Sequence, residues 1–154
     1  MATLYLSLGT NLGNRQSNLE TALALIGQRI GTVKAISEVI ETEPWGFESS
    51  NRFLNMAVKV QTDLGPRQTL LTTQGIEKEM GRTEKSVDRV YCDRLIDIDI
   101  LLYDDLILET PDLTIPHPLM HKRGFVLRPL AQIAPDAVHP VLNKTIRQLA
   151  GEME

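Results

Sequence analysis

Cysteine, aromatic residues and long apolar runs are all scarce in this chain of 154 residues. Its single cysteine, Cys92, excludes an internal disulfide framework and is typical of a reducing compartment. No apolar run approaches membrane-spanning length and the N-terminal segment lacks a charged leader, so we expect a cytoplasmic protein that does not bind membranes. The 16 basic and 20 acidic residues give a net charge of −4, which argues against a nonspecific nucleic-acid binder.

The remaining composition is that of an ordinary globular protein. Apolar residues make up 42% of the chain and charged residues 23%, and this length suffices for one domain with a buried core. We find no internal repeat, low-complexity tract or linker that would divide it. The sequence therefore predicts a single domain over residues 1–154, and we expect a monomer.

The apolar patterns predict the element order β-α-β-β-α-β, followed by C-terminal additions. Asn14 is expected to cap the first helix and Gly31 to end it, while Pro66 is expected to begin the second helix. Strands are predicted at 3–8, 33–42, 53–62 and around Asp97, and short helices at 122–131 and 145–150. This order is typical of an α+β, ferredoxin-like core: a four-stranded antiparallel sheet with two helices on one face.

Two aspartates, Asp97 and Asp99, interrupt an otherwise apolar strand, although Asp is depleted in strands. Side chains alternate along a strand, so the two carboxylates share one face, roughly 6–7 Å apart. The opposite face is expected to carry Ile96, Ile98, Ile100 and Leu102 and to pack against the helices. Carboxylates at this distance repel unless a cation lies between them, and Mg²⁺ binds carboxylates and phosphates. A solvent-facing Asp-x-Asp on a half-exposed strand is the alternative.

Residues near this face could bind an anion and a flat ring. Arg94 precedes Asp97 by three residues, and a guanidinium binds phosphate bidentately. The stretch 117–128 has no acidic residue but carries His117, His121, Lys122, Arg123 and Arg128. A basic surface segment would explain Lys122 and Arg128 equally well. The aromatic candidates for stacking are Trp45, Phe53, Tyr91 and Phe125, although core packing is the alternative for both phenylalanines.

Together these segments resemble the 6-hydroxymethyl-7,8-dihydropterin pyrophosphokinase family. The resemblance covers nearly the whole chain in order, through residues 8–13, 42–46, 53–55, 76–77, 81–82, 94–101, 115–118 and 123–130. Its most specific parts are the Arg94-x-x-Asp97-x-Asp99 segment, Pro116-His117 and Arg123-Gly124-Phe125. The resemblance implies transfer of pyrophosphate from ATP to the pterin hydroxymethyl group in folate biosynthesis, with AMP as the second product and two Mg²⁺ ions as cofactors.

The resemblance also implies a role for each matching residue. The implied catalytic residues are Arg82, Arg94, Asp97 and Asp99, of which the two aspartates would bind both Mg²⁺ ions. The implied pterin site consists of Thr42, Pro44, Trp45, Phe53, Asn55 and Phe125, with the two phenylalanine rings on either side of the pterin. The implied ATP site consists of Gln74, Glu77, Arg89, Tyr91, Arg94, Ile100, Thr114, His117 and Arg123. Loops 43–52 and 82–94 would close over the site, and we expect the long loops to cover the face that carries the two aspartates.

The chain departs from the common family pattern at a few positions. Phe53 stands where tyrosine is frequent, and Asp112 and Pro118 stand where some members carry arginine and tyrosine. Two other functions remain open from the residues alone. One is another magnesium-dependent Asp-x-Asp enzyme, such as a nucleotidyl or glycosyl transferase. The other is a ferredoxin-like nucleotide-binding module without catalysis.

Overall fold

The structure is a computed structural model that describes residues 1–42, 52–81 and 95–153. The first part of the chain forms β1 (Ala2–Thr10), α1 (Arg15–Arg29), β2 (Gly31–Ile36), β3 (Ile40–Thr42), β4 (Phe53–Thr62), α2 (Pro66–Glu79) and β5 (Asp97–Tyr103). The second part forms β6 (Leu108–Glu109), β7 (Thr114–Ile115), a 3₁₀ turn (Met120–Lys122), α3 (Gly124–Ile133), β8 (Val138–His139), β9 (Lys144–Thr145) and α4 (Ile146–Glu152).

The main sheet is antiparallel and has the strand order β2-β4-β1-β5, with β3 also paired to β4. This arrangement confirms the predicted α+β, ferredoxin-like fold. The predicted single strand over 33–42 is wrong, because the chain leaves the sheet between β2 and β3. There Ser37 Oγ accepts a hydrogen bond from Ala57 N at 2.8 Å, and Glu38 N donates to Gln132 Oε1 of α3 at 2.7 Å.

The helix boundaries follow the predicted capping residues with one exception. Asn14 caps α1 by accepting from Ser17 N at 3.0 Å, and Pro66 is the first residue of α2. Gly31 was expected to end α1, but Ile30 holds that position and Gly31 begins β2. A Cβ atom at Gly31 would lie 2.0 Å from the Gln61 carbonyl oxygen. The glycine is therefore required by close approach of two strands and not by the helix end.

The first core lies between the sheet and the helices α1 and α2. Its helix residues include Leu19, Ala22, Ile26 and Ile76, and its strand residues include Leu6, Leu8, Met56, Val58, Ile98 and Ile100. The apolar stripe predicted for α1 therefore faces the sheet, as its spacing of three and four residues indicates. The predicted placement of Ile98 and Ile100 on the helix-covered face is confirmed.

A second core covers part of the opposite face, where only loops were expected. Helices α3 and α4 contribute Val126, Leu127, Leu130, Ile146 and Leu149, which pack on Ala57, Leu101 and Leu102 of the sheet. We call these three sheet residues the packed end of this face. The expectation that the whole face is covered by loops is therefore wrong, because the C-terminal helices bury its packed end.

A β-bulge in β5 explains why Leu102 lies in the second core. Tyr5 of β1 pairs with Leu102 but Leu6 pairs with Ile100, so Leu101 has no partner in the register. The extra residue shifts the alternation of side chains beyond Ile100 to the other face. The prediction that Leu102 shares the face of Ile98 is therefore wrong. Within the described ranges, none of the helices combines the length and apolar content that a membrane span needs.

Candidate active site

Three adjacent strands bring the predicted site residues into one row. Gly9 of β1 pairs with Asn55 of β4 on one side and with Asp97 of β5 on the other. In the next row, Ser7 lies between Ala57 and Asp99. Directly paired residues point to the same face, so Asn55, Asp97 and Asp99 share the face that is opposite α1 and α2. We call Gly9, Asn55, Asp97 and Asp99 the site end of this face.

Gly9 leaves space at the centre of the row. A Cβ atom there would lie 3.1 Å from Asn55 Oδ1 and 3.7 Å from Phe53 Cδ1. The side chains of Asn55 and Phe53 therefore reach over the glycine. Two strand spacings separate Asn55 from Asp97, which is about 10 Å. The row thus has an amide end at Asn55 and a carboxylate end at Asp97. Gly9, which lies between them, has no side chain.

The start of β5, which presents the two half-buried aspartates, is held from β1 and α1. Thr10 Oγ1 donates a hydrogen bond to the carbonyl oxygen of Leu95, two residues before Asp97. Asn18 of α1 in turn donates to Thr10 Oγ1 at 3.1 Å and to the Leu12 carbonyl at 2.8 Å. These bonds fix the backbone where the strand enters the sheet. Sequence reasoning did not identify Thr10 or Asn18 as supports of the site.

Glu77 and Gln74 of α2 have different environments, although the resemblance implies that both contact ATP. Gln74 is exposed. Glu77 is only 8% exposed, and its Oε2 accepts a hydrogen bond of 2.7 Å from the backbone N of Ile98. The carboxylate therefore binds the strand between Asp97 and Asp99.

Thr42 and Asn55 are joined directly at the amide end. Asn55 Nδ2 donates to Thr42 Oγ1 at 2.8 Å, and Asn55 is 4% exposed. Thr42 also lines a cavity of about 530 Å³ with Gly124, Phe125, Arg128 and Met153. Phe53 pairs with Thr42 across β3 and β4 and is half-buried, like Phe125. Arg128 lies one helical turn after Phe125, and this spacing is the signal that could have identified it as a lining residue.

His117 lies between the site end and the start of α3. Its backbone N donates to the Leu101 carbonyl at 3.0 Å, and its Nδ1 accepts from Leu119 N at 3.2 Å. The pKa of His117 is lowered to about 4, mainly by burial and also by the positive charge of Arg123, while the charge of Asp97 acts in the opposite direction. The imidazole is therefore neutral at neutral pH, and its Nδ1 bond leaves the proton on Nε2.

Arg123 is the N-cap residue of α3, and its guanidinium carbon lies 5.6 Å from the centre of the Phe125 ring. This position is within the range of a cation–π contact. The charges of Arg123 and Asp97 both act on the pKa of His117, so these three predicted residues share one electrostatic environment. The guanidinium therefore connects the aromatic part of the site to its charged part.

The other predicted residues are placed as follows. Ile100 is 5% exposed and packs in the first core, and Thr114 is half-buried in β7 opposite Glu109. The predicted residues outside the described ranges are Pro44, Trp45, Arg82, Arg89, Tyr91 and Arg94. In the described part of the chain, no three or more His, Cys, Asp or Glu residues form a cluster that could hold a metal ion. Asp97 and Asp99 would thus supply two side-chain ligands from the described residues.

The fold and this face define a ferredoxin-like domain with a carboxylate pair at one end of a polar row and an amide with aromatic rings at the other. The family model for 7,8-dihydro-6-hydroxymethylpterin-pyrophosphokinase (HPPK) matches residues 5–135. A 2-amino-4-hydroxy-6-hydroxymethyldihydropteridine pyrophosphokinase of Porphyromonas gingivalis is 50% identical over 141 residues, which are 91% of this chain and 95% of the relative. One of Aquifex aeolicus is 40% identical over 152 residues, 99% of this chain and 92% of the relative. The chain belongs to this pyrophosphokinase family.

A solved structure agrees on the fold. The crystal structure of Plasmodium falciparum HPPK-DHPS with pteroate superimposes with a TM-score of 0.82 at 20% sequence identity. The match covers 98% of this chain but only 44% of that longer chain. At this identity the likeness is one of fold, and it agrees with the ferredoxin-like arrangement described above.

Proposed function

We propose that this chain, with magnesium bound at Asp97 and Asp99, transfers pyrophosphate from ATP to the hydroxymethyl group of 6-hydroxymethyl-7,8-dihydropterin. The transfer itself, a step of folate biosynthesis, follows from membership in the family. The magnesium requirement and the roles of single residues are the proposal. Family membership also favours this reaction over the nucleotidyl transferase, glycosyl transferase and non-catalytic alternatives.

The observation that carries the proposal is the row Asn55–Gly9–Asp97. It places an amide that can both donate and accept about 10 Å from a carboxylate, on one face of the sheet. The span is of the order of a two-ring heterocycle with a one-carbon substituent. A pterin whose polar edge meets Asn55 and Thr42 would therefore direct its hydroxymethyl group toward the aspartates. Phe53 and Phe125 are the rings that would stack on it.

The residues at the carboxylate end fit magnesium. Two aspartate oxygen donors two residues apart on one strand match the preference of Mg²⁺ for hard ligands, and this ion commonly takes its remaining ligands from phosphates and water. Held by these two carboxylates, magnesium would supply positive charge to stabilise the phosphates during the displacement. Asp97 and Asp99 would hold the metal, and within the described ranges they belong to no larger cluster of His, Cys, Asp or Glu.

The other residues of this chain position groups and supply charge. Arg123 would place a guanidinium on phosphate oxygens, for which its planar donors are suited. His117 is neutral and held by two backbone hydrogen bonds, so its Nε2–H can donate without adding charge. Phosphoryl-type transfer depends mainly on such positioning and charge stabilisation. We assign no general base.

We further propose that residues 1–154 act as one domain and as a cytoplasmic monomer. The two cores share the central sheet, which supports a single folding unit. Light scattering after size-exclusion chromatography should give a mass near 17.2 kDa. A mass twice as large would reject the monomer.

The function is tested by product analysis of purified protein with ATP and the reduced pterin. We expect AMP and a pyrophosphorylated pterin in equal amounts, with turnover abolished by EDTA and restored by Mg²⁺. Free pyrophosphate would instead indicate a nucleotidyl transferase, and a nucleoside diphosphate would indicate another transferase. Turnover unaffected by EDTA would reject the magnesium requirement while leaving the transfer in place.

A further inference from the structure

Glu77 forms a contact with the strand that carries the aspartate pair. Its carboxylate is almost completely buried, at 8% exposure, and Oε2 accepts from the backbone N of Ile98 at 2.7 Å. Hydrogen bonds from a backbone N–H to an ionised carboxylate are short and stronger than neutral ones. Ile98 is the single residue between Asp97 and Asp99. The bond therefore acts on the backbone from which both aspartate side chains extend.

The contact occurs at an edge of the sheet. In the described strands β5 pairs with β1 alone, so its other side has no neighbouring strand. The Glu77 carboxylate accepts the hydrogen bond that a carbonyl of a neighbouring strand would otherwise accept. An edge strand has fewer backbone partners than a central strand, and the bond at Ile98 restrains β5 between the two aspartates.

The helix that supplies Glu77 lies behind the sheet. Its neighbour Ile76 packs in the first core together with Ile98 and Ile100. Asp97 and Asp99 point to the opposite face. Glu77 therefore approaches the strand from the helix layer, on the side away from the row that holds Asn55 and Gly9.

From this geometry we infer that Glu77 is a positioning residue, which orients Asp97 and Asp99 through the Ile98 amide. The inference rests on the proposed role of the two aspartates as cation ligands. It differs from the nucleotide contact that the resemblance implies for Glu77. Groups that orient metal ligands commonly change metal affinity by about 10- to 100-fold when removed. Replacing Glu77 should thus weaken cation binding while the aspartates themselves remain.

Three variants separate positioning from other roles. Glu77→Met keeps the length of the side chain but has no oxygen acceptor, whereas Glu77→Gln keeps an acceptor oxygen and removes the charge. Glu79→Gln is the matched control, because Glu79 lies on the same helix, is exposed and pairs with Arg29. Circular dichroism and thermal melting would establish that each variant is folded, and Glu77→Ala replaces Glu77→Met if the latter does not fold.

Two measurements without turnover test the inference. Amide hydrogen exchange at Ile98 should become at least about tenfold faster in Glu77→Met and stay near the wild-type rate in Glu77→Gln. Mn²⁺ binding to the nucleotide-free protein, followed by electron paramagnetic resonance, should weaken about tenfold in Glu77→Met. Glu77→Gln should retain it within about threefold, and Glu79→Gln should match the wild type.

Other outcomes would overturn the inference. Unchanged Mn²⁺ affinity in Glu77→Met, with a raised KM for ATP in both Glu77 variants, would identify a nucleotide contact instead. A wild-type protein that binds no Mn²⁺ would reject the inference together with the metal role. If the wild type forms no AMP, the proposed function fails, but exchange and Mn²⁺ binding still decide whether Glu77 positions the aspartates.

Discussion

The packed end and the site end lie on the same face of one sheet and are built from the same strands. At the packed end, Leu101 and Leu102 are at most 2% exposed under α3 and α4. At the site end, the same strand carries two half-buried carboxylates. The ends meet in the row where Ala57 and Asp99 lie on either side of Ser7. One strand thus contributes to the second core in one half and to the proposed binding site in the other.

The difference shows how this fold separates the two tasks. Apolar side chains at the packed end remove surface from water, and each contributes about 2 kcal/mol. The site end lacks this contribution, and its two neighbouring carboxylates also repel each other. It is instead held through the backbone, by Thr10 at Leu95 and by Glu77 at Ile98. Substitutions at the two ends should therefore affect different measurements.

The largest effect is expected at the site end, from Asp97→Asn. This change removes one proposed cation ligand but keeps the size of the side chain. AMP formation should fall by about 10³-fold or more, and the melting temperature should stay the same or rise because a repulsive charge is lost. A coupled assay measures AMP formation, and a thermal melt measures the melting temperature. Full activity would contradict the role of Asp97.

At the packed end, Leu101→Ala should lower the stability of the protein and leave substrate binding unchanged. Leu101 is 1% exposed, so the cavity should lower the free energy of unfolding by about 3 kcal/mol, roughly 10²-fold in the folding equilibrium. Below the melting transition, KM for ATP and pterin should be unchanged. Urea denaturation provides the test, with the exposed Val141→Ala as the control expected to cost little. A raised KM in fully folded Leu101→Ala protein would show that the packed end influences binding at the site end.

His117 should make stability depend on pH near the boundary of the two ends. Its pKa is about 4 in the folded protein and near 6.5 in the unfolded chain, so the unfolded chain takes up the proton first as the pH falls. The stability from neutral His117 is present above pH 6.5 and is lost between pH 6.5 and 4. We expect a loss of about 2 kcal/mol, allowing for partial solvent exposure.

The measurement compares urea denaturation of the wild type with that of His117→Asn at pH 7, 5.5 and 4.5. Groups that do not interact with His117 titrate alike in both proteins, so the difference between the two curves reports His117 and its interactions with Asp97 and Arg123. Asparagine retains an acceptor for Leu119 N. Parallel curves would show that the imidazole titrates normally in the folded protein.

The smallest effect is expected from Gly9→Ala. The added Cβ would lie 3.1 Å from Asn55 Oδ1, so the amide must shift by a few tenths of an ångström. We expect a rise of about fivefold in KM for the pterin with little change in KM for ATP. Gly27→Ala is the control, because nothing lies within 4 Å of its Cβ, and in the helix it should be neutral or stabilising. Equal changes in both KM values would contradict the separation of the row into two ends.

Local patterns account for much of the fold and for the first level of the site. The stripe through Leu19 and Ile26, the cap at Asn14 and the helix start at Pro66 each depend on neighbours within a few residues, and all three were predicted. The shared face of Asp97 and Asp99 follows from strand alternation alone. The family resemblance added Thr42, which accepts a hydrogen bond from Asn55 in the structure.

The predictions failed at positions whose structure depends on contacts with distant parts of the chain. The break between β2 and β3 depends on Ser37 meeting Ala57 and Glu38 meeting Gln132. The bulge at Leu101 depends on its register with β1, and Gly31 is needed because Gln61 approaches it. No spacing within a single element reports these contacts.

By itself, the sequence determined the element order, the face of the two aspartates and the family, because periodicity and motifs act over short stretches of chain. Only the tertiary structure decided that α3 and α4 bury the packed end of the face that carries the two aspartates. It also decided that Gly9 joins Asn55 to Asp97 in one row and that Glu77 holds Ile98. The physical reason is that strand register and helix packing join residues far apart in the chain, where burial and hydrogen bonding between elements select the arrangement.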